Sequence, residues 1–166
     1  MTTISHHTTP VILPQALDKK NSTAQWPVGT VVDTNDGGRA MYVQAMSAIS
    51  TYNAVVIAED HRVSNLTTTN AGTISKQVAW AQTSIASSVF GWVQLSGRPI
   101  GKLLTDCQDR VILFTTATPG SLDDVTVSEC LVAGVVSKNS IASNASSGTL
   151  LVGPQGAFVH PHANPA

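Results

Sequence analysis

Charged residues are what this sequence has least of. Asp, Glu, Lys and Arg make up 11% of its 166 residues, whereas typical soluble proteins contain about 25%. Nine Lys and Arg against ten Asp and Glu leave a formal net charge of -1. No basic face can be assembled from so few cations, so we expect no nucleic-acid binding. Serine and threonine supply most of the polar surface instead. This composition suits a surface covered largely by neighbours, because free monomers usually rely on charge for solubility.

Cysteine and long apolar runs are also scarce. Cys107 and Cys130 stand alone without the spacing of a disulfide framework, so we expect two reduced, partly buried thiols. No apolar run approaches the roughly 20 residues that a membrane-spanning helix needs. The first seven residues lack the basic region and apolar core of a secretory signal. We therefore expect no membrane partner and a protein that is made in the cytosol and stays soluble or assembles there.

What the sequence does contain is a series of short strand patterns separated by turn residues. In the segment 91–96 one face collects Gly91, Val93 and Leu95, and this period of two is typical of a strand with two different faces. Further strands are predicted at 29–33, 40–45, 53–58, 78–83, 111–115, 131–136 and 149–152. Strands without intervening helical patterns predict an all-β fold, an antiparallel β-barrel or sandwich.

Four local patterns refine this prediction. The residues 35–38, which include Asp36 and Gly37, form a hairpin turn signal between two strands. The segment 66–72 predicts one short helical turn. Pro99 interrupts pairing in the segment 97–101, because a proline cannot donate to a ladder. The segment 131–136 is apolar at every position, which predicts burial on both faces.

Three regions follow from these patterns. Residues 1–27 predict an extended N-terminal arm, because they combine three prolines with one short apolar patch, Val11, Ile12 and Leu13. That patch could add a strand to a sheet edge, on this subunit or the next. Residues 28–152 predict the β-barrel or sandwich domain, and residues 153–166 predict a C-terminal tail.

Catalytic motifs are incomplete wherever they begin. The segment 33–35 has Asn35 where an aspartic protease needs glycine, and Gln44 stands where a calcium loop needs a carboxylate. The segment 97–103 is one residue shorter than a phosphate loop and has Leu103 in place of the Ser or Thr that binds magnesium. No Gly-x-Ser-x-Gly elbow is present. We therefore expect no enzymatic activity.

Metal and cofactor sites are not expected either. The five histidines lie near the two ends and at His61, without cysteines or carboxylates at ligand spacing. Asp123 and Asp124 are interpreted as a solvated loop rather than a catalytic pair, because no third polar group lies near them in the sequence.

Trp26, Trp80 and Trp92 stand out in a chain that is only 5% aromatic. Tryptophans of this kind act as core residues or as interface anchors. A sugar-binding surface is the alternative. It would require Trp80 or Trp92 to be exposed beside Gln82 or Gln94.

Several of these segments resemble one family. The sequence Val-Ala-Trp-Ala-Gln-Thr at 78–83, Phe-Gly-Trp-Val-Gln at 90–94, and the segment 113–124 with the apolar strand that contains Gly134 resemble the small capsid decoration (cement) proteins of tailed bacteriophages. The resemblance covers roughly 28–152. It implies a β-barrel or sandwich on the outside of an icosahedral head, usually as a symmetric oligomer and commonly as a homotrimer.

The resemblance also implies a function and partners. The protein would bind the major capsid protein on the outer surface of the virion and bridge its subunits, with arms at both ends reaching over neighbours. A virion or tail module that binds a receptor or carbohydrate is the alternative. The residues expected at interfaces are Val11, Ile12, Leu13, Trp26, Trp80, Trp92 and Phe158.

Overall fold

The structure is a computed structural model that describes residues 17–71, 76–125, 130–143 and 145–160. Strands dominate these residues, which confirms the predicted all-β fold. One turn of α-helix, α1 (Thr68–Ala71), lies where a helical turn was predicted. The strands are β1 (Lys20–Asn21), β2 (Val31–Asp33), β3 (Arg39–Ala45), β4 (Ala54–Ile57), β5 (Arg62–Asn65), β6 (Gln77–Ala81), β7 (Phe90–Ser96), β8 (Ile100–Leu103), β9 (Ile112–Thr115), β10 (Ser121–Asp123), β11 (Leu131–Ser137), β12 (Ser147–Val152) and β13 (Ala157–His160).

Strands β3 to β7 close into a five-stranded barrel, called here the first barrel. Around the ring, β3 pairs with β7, β7 with β6, β6 with β4, β4 with β5, and β5 returns to β3. All of these pairs are antiparallel except β3 with β5, which is parallel. The segment singled out in the sequence, 91–96, therefore lies in β7, the strand that β3 and β6 flank.

Strands β8 to β12 form a second ring of pairings, called here the second barrel. Strand β8 pairs with β12, β12 with β11, β11 with β9, β9 with β10, and β10 returns to β8 in parallel. In both barrels the first strand pairs with the fifth, the fifth with the fourth, the fourth with the second, and the second with the third. The chain therefore builds one topology twice in succession.

Matching details in the loops support this duplication. Tyr52 precedes the second strand of the first barrel by two residues, has a left-handed φ of 67° and donates its N–H to the Ala81 carbonyl at 2.7 Å. Arg110 has the same position in the second barrel, a φ of 56°, and a bond of 2.9 Å to the Ser137 carbonyl. Ala81 and Ser137 are the last residues of the two fourth strands.

A glycine and an isoleucine are also repeated. Gly91 in β7 lies beneath Ile85, and Gly148 in β12 lies beneath Ile141. A Cβ built on Gly91 would be 3.0 Å from the Ile85 Cδ1 atom, and one built on Gly148 would be 2.5 Å from the Ile141 Cδ1 atom. Each barrel thus uses a glycine in its fifth strand to admit an isoleucine from the preceding loop.

The two barrels share buried surface and form one domain. Val43, Val63 and Val93 belong to a core cluster inside the first barrel. A second cluster joins the interior of the second barrel, which includes Leu113 and Leu150, to the outer faces of β4 and β6. Cys107 and Cys130 are buried in this second cluster as free thiols.

The predicted hairpin is confirmed. Strands β2 and β3 pair with Val31 opposite Met41 and Asp33 opposite Arg39. Gly37 in the connecting turn has a φ of 79°, a conformation that glycine adopts without steric cost.

Strands are also present in three segments where none was predicted. Residues 157–160 were placed in a C-terminal tail, but they form β13, which pairs with β6 on one side and β11 on the other. Strand β1 lies within the predicted arm and pairs with β7. Strand β10 pairs with β8 and β9 in a segment where no strand was predicted.

The apolar segment 131–136 was predicted to be buried on both faces, and that prediction is wrong. Strand β11 buries Val132 and Val135 but leaves Leu131 and Val136 partly exposed. Gly134 has a φ of 86° and lies at a break in register between β11 and β9. The outer face of β11 therefore carries apolar side chains that are only partly covered.

Candidate functional site

An aromatic cluster lies on the outer face of the first barrel. Tyr42 in β3 is directly opposite Trp92 in β7, and their ring centroids are 5.1 Å apart. Phe90, two residues before Trp92, stacks on Tyr42 at 6.1 Å. Alternation along β3 and β7 explains the cluster, because Val43 and Val93 point to the barrel interior instead.

The N-terminal segment 17–27 is fastened to this cluster. The ring of Trp26 lies 5.3 Å from Tyr42 and 5.5 Å from Trp92. The Tyr42 hydroxyl accepts hydrogen bonds from the Asn21 amide at 3.2 Å and from the Gln25 backbone N–H at 3.3 Å. Leu17 packs against the same cluster. These contacts hold the segment 17–27 against the outer face of the first barrel.

Trp26 covers the aromatic cluster and is itself half exposed. Its side chain retains 47% exposure, whereas Tyr42 and Trp92 beneath it are buried. Trp26 is the only aromatic residue among the large apolar side chains that are exposed in the described part of the chain. An exposed tryptophan on a rigid base is a suitable anchor for a protein partner.

A carboxylate organises the turn beside this cluster. Asp36 accepts hydrogen bonds from the Thr34 hydroxyl, from the Gly38 backbone N–H at 3.2 Å and from the Gln94 amide at 2.9 Å. Partial burial opposes ionisation of Asp36, but these hydrogen bonds outweigh it and lower the pKa below its usual 3.8. Arg39 donates to the Pro154 carbonyl at 2.6 Å and ties the hairpin to the segment before β13.

An apolar row crosses the outer face of the second barrel. Val136 in β11 is opposite Ile112 in β9 on one side and opposite Leu151 in β12 on the other. Ile112 is 59% exposed and Leu151 is 38% exposed. Single exposed apolar residues are common, but two exposed ones on either side of a partly exposed valine on one sheet face indicate a contact surface.

The row borders a shallow depression of about 320 Å³. All of the residues that line it are apolar or glycine, and none is charged. They are Ile112, Leu131, Val132, Ala133, Gly134, Val135, Val136 and Leu151. Such a surface offers shape and apolar area, without groups that would orient a polar ligand.

A thiol and two carboxylates form another cluster in the second barrel. Ligand atoms of Cys107, Asp123 and Asp124 lie within 4.8 Å of one another. Burial, followed by the negative charges of Asp124 and Asp123, raises the pKa of the Cys107 thiol to about 12. Asp124 accepts a hydrogen bond from the Gln108 backbone N–H at 3.0 Å.

Two parts of the second barrel supply this cluster, because Cys107 lies in the connection between β8 and β9, whereas Asp123 and Asp124 lie in β10 and directly after it. Burial and the two nearby carboxylates therefore favour the protonated form of the Cys107 thiol at neutral pH. The sequence interpretation of Asp123 and Asp124 as a solvated loop needs correction, because Asp123 lies in β10 and both side chains are partly buried.

The predicted interface residues fall into different environments. Trp80 is fully buried against the second barrel, and Trp92 is buried beneath Trp26. Both therefore pack within the chain, which leaves Trp26 as the tryptophan with surface available to a partner. Phe158 is partly buried in β13, opposite Ala133. Val11, Ile12 and Leu13 lie outside the described residues.

The arrangement that the sugar-binding alternative requires is not formed by its candidate residues. Gln94 is buried and donates to Asp36 and to the Ser96 carbonyl. Gln82 exchanges two hydrogen bonds of 3.1 Å with the Ile100 backbone. Both side chains are therefore committed to the fold.

Sequence reasoning missed the apolar row. Ile112 and Val136 were recognised as strand residues, but a fully apolar strand was assigned to the interior. One signal was available: Gly134 interrupts the strand, and glycine within a strand often marks a bulge that changes which side chains face the core.

In comparisons with known proteins, no family model matches this chain, and no curated protein sequence matches it. None of the helices in the described part of the chain has the length and apolarity needed to cross a lipid bilayer.

Proposed function

We propose that this chain is a structural virion protein: a decoration, or cement, protein on the head of a tailed bacteriophage. It binds the outer surface of the capsid, bridges major capsid protein subunits and self-associates as a homotrimer. Its action is binding alone, without a cofactor or a catalysed reaction. The bound copies stabilise the shell against the pressure of the packaged DNA.

The observation that carries this proposal is the fastening of the N-terminal segment to the aromatic cluster. Trp26, β1 and the bonds to the Tyr42 hydroxyl fix residues 17–27 to the barrel. The 16 residues that precede them include the apolar patch Val11, Ile12 and Leu13. A binding segment attached at a fixed point acts at a high effective concentration when the barrel also touches the same partner.

The surface composition also supports the proposal. Few charged residues and an open apolar row suit a protein that functions in contact with other protein subunits. The resemblance of segments 78–83, 90–94 and 113–124 to decoration proteins supplies the nature of those neighbours. The receptor- or carbohydrate-binding alternative has no comparable support, because its tryptophans and glutamines are used inside the fold.

The test is binding to capsid shells assembled from the major capsid protein of the same phage. Full-length protein is mixed with undecorated shells and sedimented, and the melting temperature of the shells is recorded. We expect the protein to sediment with the shells and to raise their melting temperature. Protein that stays in the supernatant at saturating concentration would refute the proposal.

A matched pair of variants tests the role of the arm. Ile12→Asp places a charge in the apolar patch, and Thr8→Asp places the same charge nearby without removing apolar area. We expect Ile12→Asp to weaken shell binding about tenfold or more, because an unpaired carboxylate is costly to bury. Thr8→Asp should bind as the native protein does. Equal binding by both variants would show that the patch has no contact with the shell.

A further inference from the structure

We propose that the open outer face of the second barrel, centred on Ile112, Val136 and Leu151, is the docking surface for a second copy of this chain. The exposed Trp26 of that copy enters the depression beside Val136. The inference deepens the proposed function, because it rests on self-association and names the two surfaces that meet.

Two rows of residues, one in each barrel, are structurally equivalent. In the first barrel Ala54 in β4 is opposite Trp80 in β6, and Trp80 is opposite Gln94 in β7. In the second barrel Ile112, Val136 and Leu151 have the same relations in β9, β11 and β12. Each row crosses the second, fourth and fifth strands of its barrel.

The second barrel covers Ala54 and Trp80 in the row of the first barrel. Ala54 and Trp80 are 0% exposed because the second barrel lies on them. The two barrels are joined there by three backbone hydrogen bonds of 2.7–2.8 Å, which are Lys102 N–H to the Tyr52 carbonyl, Ala54 N–H to the Gly120 carbonyl and Gly120 N–H to the Leu66 carbonyl. This face of the repeated fold is therefore used, once already, to pack one barrel against another.

The equivalent row of the second barrel is open to solvent. Among the described residues, Ile112 and Leu151 are left exposed and Val136 is partly exposed. The row also lies close to the connection between the barrels, because Val152, next to Leu151, forms a bridge with Gly97 in that connection. A second copy offers a barrel of the same topology for this face, as the second barrel does for the first.

The surface around Val136 is concave. Where the first barrel places the large indole of Trp80, the second barrel has the small side chain of Val136 and the depression of about 320 Å³. The depression therefore has room for a bulky side chain from a partner. Trp26 is an exposed indole fixed on a rigid aromatic base, so it fits this need.

This contact joins two different surfaces, one from each barrel. A contact of that kind is heterologous, and it closes into a ring when the rotation between copies allows. Every copy in the ring then supplies one Trp26 and receives another at its Ile112 row.

The experiment is sedimentation equilibrium of the full-length protein over a wide range of concentrations. The native protein should form a defined oligomer. Ile112→Asp should raise the dissociation constant about a hundredfold, because a carboxylate would be buried in an apolar contact. Met46→Asp is the matched control, since Met46 is 51% exposed and lies on the first barrel. It should assemble as the native protein does.

Mixing two defective variants tests the assignment of Trp26. Trp26→Ala and Ile112→Asp should each be monomeric alone, and the mixture should form a 1:1 dimer through the one intact pair of surfaces. Equal thermal unfolding of Ile112→Asp and Met46→Asp confirms that the change acts on association. A mixture that stays monomeric would refute the pairing of Trp26 with the row.

Two other results would overturn the proposal as a whole. A native protein that is monomeric at all concentrations would mean that another partner covers the row. Loss of assembly in Ile12→Asp with full assembly of Trp26→Ala would identify the N-terminal patch as the occupant. Shell binding is measured in parallel: assembly that depends on Ile112 without any binding to shells would retain this inference and refute only the capsid role.

Discussion

The two barrels share a strand order but differ in what lies against the outer faces of their second and fourth strands. In the first barrel that face packs on the second barrel, and Trp80 is fully buried there. In the second barrel the equivalent Val136 lies beside Ile112, which is 59% exposed. One topology thus supports an internal interface in one half of the chain and an open surface in the other.

The interiors differ as well. The core of the first barrel is a cluster of its own. The interior of the second barrel is continuous with the interface, so that Trp80, Leu103 and Leu150 belong to one cluster. The second barrel therefore relies on the first to complete its core. The difference teaches that the fold of a repeated unit does not decide which of its faces are exposed; its neighbours decide this.

The largest expected effect contrasts Trp80 with its equivalent. Trp80→Ala should lower the free energy of unfolding by about 3–5 kcal/mol, because it leaves a cavity between the barrels. Val136→Ala should cost about 1 kcal/mol or less in the monomer, because Val136 is only partly buried. Urea denaturation measured below the concentration of self-association checks both values.

The conservative variant Trp80→Phe serves as the control, since it keeps an aromatic ring at the interface. It should be clearly less destabilised than Trp80→Ala. If Val136→Ala were as destabilising as Trp80→Ala, the two rows would be equally buried and the contrast between the barrels would be wrong.

A smaller effect concerns the repeated glycines. Gly148→Ala should destabilise the protein by about 1–2 kcal/mol, because the new Cβ would lie 2.5 Å from the Ile141 Cδ1 atom. Gly91→Ala should cost less, since its Cβ would be 3.0 Å from the Ile85 Cδ1 atom. Thermal unfolding of both variants measures the difference.

Removal of the crowded methyl group is the control for this comparison. Ile141→Val deletes the Cδ1 atom, so the double variant with Gly148→Ala should recover part of the loss. A double-mutant cycle without coupling would show that Gly148 is required for another reason, and the structural match between the two loops would then lose its explanation.

Much of the fold was predictable from local patterns. The alternation of residues 91–96 gave β7 and both of its faces, and the Asp36–Gly37 turn signal gave the β2–β3 hairpin. These features depend on neighbours in the sequence. The closure of the barrels was not predictable in the same way, because β3 with β5 and β8 with β10 pair in parallel through contacts that no short segment encodes.

The surfaces were harder to predict, for a physical reason. An apolar strand looks the same in the sequence whether its outer face meets another barrel or remains open. Trp80 and Ile112 therefore carried no sign of their opposite environments. The duplication was also not visible in the sequence, because equivalent positions differ in residue type. Three residues before the left-handed residue of each barrel, for example, the first barrel has Ile49 and the second has Cys107.

Ile49 and Cys107 have equivalent positions in the two barrels, and their carbonyls accept hydrogen bonds from the backbone N–H groups of Ile85 and Ile141. The pKa of the Cys107 thiol is raised to about 12 from its usual 9.0. Its stabilising contribution is therefore complete below pH 9 and is lost as the pH rises from 9 toward 12. The native protein should lose stability in this window, and Cys107→Ala should lose less.

Chemical denaturation at several alkaline pH values measures this effect, with Ile49→Val as a control that leaves the thiol in place. The control should show the same alkaline slope as the native protein. If Cys107→Ala lost as much stability with rising pH as the native protein, other groups would cause the alkaline loss, and the ionisation of the Cys107 thiol would not contribute to it.

The smallest expected effect on stability concerns the turn between β2 and β3. Strand β2 precedes the five strands of the first barrel in the sequence and pairs with β3. Hydrogen bonds from Thr34, Gln94 and Gly38 lower the pKa of Asp36 despite partial burial. The stabilising contribution of Asp36 is therefore present above pH 3.8 and is lost as the pH falls through the lowered pKa. Asp36→Asn should cost about 1 kcal/mol or less at neutral pH, because an amide oxygen still accepts hydrogen bonds.

The pH dependence separates this turn from the rest of the molecule. Native protein and Asp36→Asn should converge in stability as the pH falls through this lowered pKa and the native carboxyl becomes protonated. Asp60→Asn is the control, because Asp60 is an exposed acid that also has a lowered pKa, from its hydrogen bonds and ion pair with Arg62. It lies in the β4–β5 connection, away from the hairpin. A difference between native protein and Asp36→Asn that persisted unchanged at low pH would mean that the carboxylate charge does not hold the turn, and that the shape of the Asp36 side chain matters instead.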